Sequence, residues 1–234
     1  MMNDHCDIAV GFLAGGLARR MGGRNKALLE IGGRSILKWQ LAATEQHCVR
    51  LINANGDARR YQPFGLPVIA DNISGNPGPL AGILACLDYL AEQHQQISML
   101  LSCATDAPFI PPDLAARLRA GQEAEKAVLA QASSQGRRHP VFGLWPVSAR
   151  ARLRYAVQNE GIRKIDDFTA LYSVAIVEFN AQPDPFLNMN HPEDIAHAEA
   201  APDCRNADIT AARKSVWQDR PLFAKTFAFL PSSC

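Results

Sequence analysis

The chain reads as an α/β protein built on one open, mostly parallel sheet with helices on both faces. Three observations carry this. Short apolar runs alternate with longer helix-like stretches. Glycines follow directly on the first apolar run, Ile8–Leu13. The chain has 234 residues, 47% of them hydrophobic, which is enough for one large core.

Ile8–Leu13 is the first strand. Ser35 is placed to cap a helix running to about His47. Val49–Asn53 and a short Val68–Ala70 are the next strands, and a helix covers Leu80–Gln93. Ser98–Ser102 is the fourth strand, after which Pro112 suits the first turn of a helix through Leu118. Lys126–Ala132 and Val141–Trp145 read as strands, Ser148–Gln158 as a helix and Ser173–Phe179 as a strand. A last helix runs from Glu193 to about Ala200. Beyond Pro202 the pattern fades, so residues 1–201 form the predicted domain and 202–234 a C-terminal extension. Right-handed crossovers bring the loops after the parallel strands to one edge, where ligands of such sheets bind.

Net charge is +1, so no broad basic field exists to hold a nucleic acid. The longest apolar runs fall well short of the roughly 20 residues that span a bilayer. The opening Met1-Met-Asn-Asp-His-Cys-Asp7 has no basic segment before an apolar run, and a cytoplasmic protein is expected. Six cysteines, at 6, 48, 86, 103, 204 and 234, match no zinc spacing and read as free thiols, with Cys86 and Cys103 in the core.

The segment Leu13-Ala14-Gly15-Gly16 to Lys26 is the richest in chemistry. Gly15, Gly16, Gly22 and Gly23 let backbone approach a ligand, and successive N–H groups can converge on phosphate oxygens. Arg20 and Lys26 add positive charge, Arg as a two-pronged partner and Lys as a mobile point charge. Neither the Walker loop nor Gly-x-Gly-x-x-Gly is present. Asp106, after the fourth strand, is a lone carboxylate on the ligand edge. It suits a metal that keeps waters and borrows oxygens from a triphosphate, or it caps its loop.

Leu13-Ala-Gly-Gly-x-x-x-Arg20-Met-Gly-Gly-x-x-Lys26 resembles the molybdenum cofactor guanylyltransferases, the MobA family. Further blocks follow in register over roughly residues 7–200: Asn53-Ala-Asn55, Val68-Ile-Ala-Asp71, Gly78-Pro-Leu-Ala-Gly82, Thr105-Asp106-Ala-Pro-Phe-Ile-Pro111, His139-Pro140 and Asn188-Met-Asn190-His-Pro-Glu-Asp194. Where the family usually shows Cys-Asp-Thr-Pro, this chain has Thr105-Asp106-Ala-Pro108.

The resemblance implies a Rossmann-like three-layer nucleotidyltransferase fold and a reaction. GMP passes from GTP to the terminal phosphate of the molybdopterin cofactor, and pyrophosphate leaves. It implies catalytic roles for Lys26, Asp106 and Arg20, with Asp106 the Mg²⁺ ligand. It further implies GTP binding by Leu13, Ala14, Gly15, Gly16, Lys26, Asn53, Asp71, Gly78, Gly82 and Asp106. Asn188 and Asn190 bind the second substrate, complete the metal shell or cap the helix that follows. His139 is structural or lines a substrate, and Arg137 and Arg138 attract an anion or lie in a solvated turn. The expected partners are the two substrates, with transient contact to proteins that donate or receive the cofactor, in a monomer. Relatives with Leu-Ala-Ala-Gly are usually cytidylyltransferases, so the glycine at position 15 favours guanine over cytosine. A sugar-phosphate nucleotidyltransferase or a non-catalytic cofactor-binding module would share the same fold.

Overall fold

The computed structural model describes residues 7–15, 17–18, 24–73, 78–189 and 193–196. Seven strands form the central sheet: β1 (Ile8–Leu13), β2 (Arg50–Asn53), β3 (Val68–Ile69), β4 (Met99–Ala104), β5 (Leu129–Ser134), β6 (Arg137–Pro146) and β7 (Val174–Glu178). Their order is β7-β5-β6-β4-β1-β2-β3. Every pairing is parallel except those of β6, which runs antiparallel to both β4 and β5.

Among the described residues, the helices that pack on the sheet are α1 (Ile36–Ala43), α2 (Pro79–Gln93), α3 (Leu114–Ala124), α4 (Arg150–Gln158) and α5 (Ile165–Thr169). Alternation along β1 separates the layers. Ile8, Val10 and Phe12 pack with Leu37 of α1 and Leu114 and Leu118 of α3. Ala9 faces the other way, with Ile83 and Leu87 of α2 and Leu153 of α4. Gly11 lets α2 sit close, since a Cβ there would meet Cys86 Sγ and Leu100 at 3.1 Å. Burial pushes the Cys86 and Cys103 thiols up, so both act as small apolar core groups.

Several elements differ from the sequence reading. The α3 helix continues to Ala124, and Lys126 then takes a left-handed backbone (φ 50°). The strand predicted to begin at Lys126 therefore begins at Leu129. Arg137 and Arg138 lie within a strand rather than in the turn, which is made by Gln135 and Gly136 (φ 51° and 73°). That tight turn makes β6 double back on β5, which is why one central strand is antiparallel. The β6 strand carries a register shift between His139 and Gly143. A 3-10 helix at Ala58–Phe64 and the short α5 had no periodic signal. Only 193–196 of the predicted last helix is described, and it is helical. The extension at 202–234 lies outside the described residues.

The chain leaves β1 toward β2 and β3, then returns to β4 on the other side of β1. The carboxyl ends of β1 and β4 therefore flank a topological switch point, the place where open α/β sheets form a crevice.

Candidate active site at the strand ends

A cleft of about 320 Å³ opens at this switch point. Its walls include Leu13 and Gly15 from the end of β1, Asn53 and Asn55 beyond β2, Asp71 beyond β3, Gly78 and Pro79 at the start of α2, and Thr105 and Asp106 beyond β4.

Each side chain is set by local structure. Asn25 Oδ1 accepts from Ala27 N–H at 3.0 Å and starts a one-turn 3-10 helix, Lys26–Leu28, that projects Lys26 into the cleft. Lys26 Nζ donates to Asp106 Oδ2 at 3.3 Å, and these side chains are 19% and 22% exposed, enough for both to meet a ligand. Thr105 Oγ1 donates to Leu13 O at 3.1 Å and ties the ends of β1 and β4 together. Met189 N–H donates to Asp106 O at 2.7 Å. With its amide nitrogen turned toward the acceptors, Asn188 donates to Asp106 Oδ1 and to Phe186 O, each at 3.3 Å.

The other wall is an amide–carboxylate lattice. Asn53 Nδ2 donates to Asp71 Oδ1 at 2.8 Å and to Ile69 O at 3.1 Å. Asn55 Nδ2 donates to Asp71 Oδ2 at 2.8 Å, and Asn55 Oδ1 accepts from Asp71 N–H at 2.9 Å. Asp71 is thereby fixed at the rim. Gly82 lies beneath Asn53, where any Cβ would overlap Asn53 Oδ1. Gly78 (φ 75°, ψ −160°) adopts a backbone that only glycine enters readily, so α2 begins abruptly at Pro79 with its positive end at the cleft.

The structure thus brings Leu13, Gly15, Lys26, Asn53, Asp71, Gly78 and Asp106 to one cleft. Ala14 is buried, and its N–H donates to Asn53 O at 2.8 Å. Ala14 and Gly82 therefore shape the wall from behind. Gly16, Arg20 and Asn190 lie outside the described residues. Asn55 and Thr105 also line the cleft, and sequence reasoning does not single them out, although both sit inside the blocks quoted for the resemblance.

His139 stands apart from the cleft walls. Its Nε2 is 2.7 Å from Ser134 Oγ, which donates to Asp184 Oδ1 at 2.8 Å, and its ring packs on Phe186 at 4.9 Å. Burial draws the imidazole below its ordinary value of 6.5, Asp184 and Glu178 pull upward, and Arg137 adds to the lowering. His139 thereby supports the segment Asp184–Met189 that carries Asn188.

As a cation site the Asp106 side of the cleft offers one carboxylate with the Asn188 amide beside it, and among the described residues no group of three or more His, Cys, Asp or Glu is placed to hold a metal ion. Such a donor set fits a hard divalent ion that takes its remaining oxygens from water and from a phosphate-bearing ligand. None of the described helices is long and apolar enough to cross a membrane.

A family model for the MobA-like NTP transferase domain matches residues 10–174. A molybdenum cofactor guanylyltransferase of Rhodopseudomonas palustris is 50% identical over 200 residues, covering 85% of this chain and 95% of that protein. One from Nitrobacter hamburgensis is 51% identical over 189 residues, covering 80% and 90%. Among solved structures, molybdopterin-guanine dinucleotide biosynthesis protein A of Archaeoglobus fulgidus shares the fold, with a TM-score of 0.63, 24% identity and coverage of 82% and 96%. The 2-C-methyl-D-erythritol 4-phosphate cytidylyltransferase of Thermus thermophilus is similar in fold as well, at a TM-score of 0.58, 20% identity and coverage of 81% and 96%.

Proposed function

The chain belongs to the MobA-like NTP transferase family, and from that premise we propose that it transfers GMP from GTP to the terminal phosphate of molybdopterin, releasing pyrophosphate. The observation that carries this reading is the meeting of Lys26 and Asp106, 80 residues apart in sequence, in one cleft at the switch point of the sheet. A phosphate-binding cation and an anion able to hold a metal are what transfer at a triphosphate requires.

In this reaction an oxygen of the acceptor phosphate bonds to the α-phosphorus of GTP, and the bond from that phosphorus to the α–β bridging oxygen breaks. The acceptor is already an anion, so no side chain must remove a proton. The protein aligns the two phosphates and neutralises their charge. Lys26, together with Arg20 of the same glycine-rich segment, neutralises the triphosphate and the departing pyrophosphate. The Asp71–Asn53–Asn55 lattice holds the nucleoside, since a fixed carboxylate pairs with the adjacent N–H donors of guanine. Gly15 leaves space for the nucleotide, Gly16 serves GTP binding with it, and α2 presents its positive end at Gly78. Asp106 would hold Mg²⁺, with Asn188 beside it as a further donor, and the ion would supply charge neutralisation at the phosphate oxygens. Asn190 serves the second substrate, and the protein acts as a cytoplasmic monomer.

The test is a metal-dependent assay of purified protein with molybdopterin and GTP, CTP or UTP in turn. The expected result is pyrophosphate release and a guanine dinucleotide product with GTP alone. Equal or better turnover with CTP overturns the choice of base, and no turnover with any of the three overturns the reaction.

A further inference from the structure

One buried side chain shapes the Asp106 turn without touching the cleft. Gln40 lies on α1 and is fully buried. Its single Nε2 donates to Ala104 O at 2.6 Å and to Ala107 O at 2.8 Å. These carbonyls bracket Asp106, one ending β4 and the other following the aspartate. Both acceptors are carbonyl oxygens, so the amide is forced to present its nitrogen. Gln40 Oε1 is left buried with no hydrogen-bond partner among the described residues. A buried polar atom without a partner is unfavourable, and an apolar side chain of the same size would avoid it. Gln40 is therefore explained by its two donors.

We propose that Gln40 is a positioning residue for the Asp106 carboxylate, its amide clamping the carbonyls on either side so that the carboxylate faces the triphosphate and its metal. This role rests on the nucleotidyl-transfer reading of the cleft. The other tethers of this turn come from elsewhere: Thr105 Oγ1 on Leu13 O, and Met189 N–H on Asp106 O. Gln40 alone, among the described contacts, holds both flanks. A methionine in its place keeps the volume and removes both donors. An asparagine keeps the amide but is one methylene short of reaching both carbonyls.

The experiment uses the full chain as wild type, Gln40→Met and Gln40→Asn. Mn²⁺ binding in the presence of GTP is followed by electron paramagnetic resonance, beside steady-state kinetics and thermal melting. Both variants are expected to bind Mn²⁺ about 10- to 100-fold more weakly and to lose kcat to a similar degree. KM for GTP should change little, and excess metal should restore part of the rate. A Gln40→Met protein that melts earlier yet binds Mn²⁺ and turns over like wild type overturns the proposal. If Gln40→Met does not fold, unchanged Mn²⁺ binding by Gln40→Asn overturns it equally. Wild-type protein that binds no Mn²⁺ with GTP fails differently, because it removes the nucleotide–metal reading itself.

Discussion

Replacing Gly82 with alanine sets two effects of opposite sign against each other. Gly82 lies in the first turns of α2. In an ordinary helix the change would stabilise by about 0.8–1 kcal/mol, because glycine loses more backbone freedom on folding. Here the new Cβ would overlap Asn53 Oδ1 and lie 2.9 Å from Asn53 Cγ, closer than real contacts allow. Leu13 Cδ2, at 3.3 Å from the same Cβ, crowds it further. Overpacking of this kind typically costs about 1–3 kcal/mol, so the sum is a loss of stability of up to roughly 2 kcal/mol. The larger effect falls on Asp71. If Asn53 turns aside, its bond to Asp71 at 2.8 Å is lost. A hydrogen bond to a charged group is worth about 1.5–3 kcal/mol, so GTP binding should weaken roughly tenfold to a hundredfold. Calorimetric titration with GTP and urea denaturation of the same samples check this. A Gly82→Ala protein that is more stable than wild type and binds GTP equally well would refute the reasoning.

Asp106→Ala should keep a cooperative fold and lose about 10²–10³ in kcat, the usual effect of removing one preorganised electrostatic contact; near-normal GMP transfer by the purified variant would sink the assignment of Asp106. A Cβ at Gly15 meets nothing within 4 Å, so Gly15→Ala should melt like wild type while its methyl enters ligand space and weakens GTP binding; unchanged GTP and CTP affinities would remove Gly15 from base selection. The His139 imidazole, lowered by burial, stays neutral in the fold at pH values where the unfolded chain takes up a proton. Its contribution is complete above its ordinary value of 6.5 and is lost as pH falls from there toward the lower folded value. Melting temperatures between about pH 8 and pH 5 should fall more steeply for wild type than for His139→Gln, and parallel curves would contradict this.

Much of the site is legible in the sequence because its chemistry sits in local signals. Glycines after a strand, a lysine at a fixed distance and an aspartate after the fourth strand each leave a mark. The structure gathers Leu13, Gly15, Lys26, Asn53, Asp71, Gly78 and Asp106 at one cleft. Residues whose roles arise only from tertiary contact leave no such mark. Gln40 occupies a helix face that otherwise reads as core, and nothing nearby says that its amide reaches across to the Asp106 turn. Thr105 and Asn55 carry no signal of their own because their partners, Leu13 O and Asp71, lie 92 and 16 residues away. The antiparallel β6 has a usable signal, a Gln135-Gly136 pair between two polar, strand-forming arms. Arg137 and Arg138 are enough to make that stretch look like an extended solvated turn.

The hydrogen bond from Met189 to Asp106 also has a meaning for synthesis. A ribosome delivers Lys26, Asn53, Asp71 and Asp106 well before it delivers Asn188 and Met189. A nascent chain halted just after Glu178 has all seven strands of the sheet and both members of the Lys26–Asp106 pair. It lacks the clasp that closes over the aspartate. On the nucleotidyl-transfer reading, competence for catalysis is gained late, when the segment following the last strand docks, and incomplete translation products hold the Lys26 and Asp106 walls without the finished site.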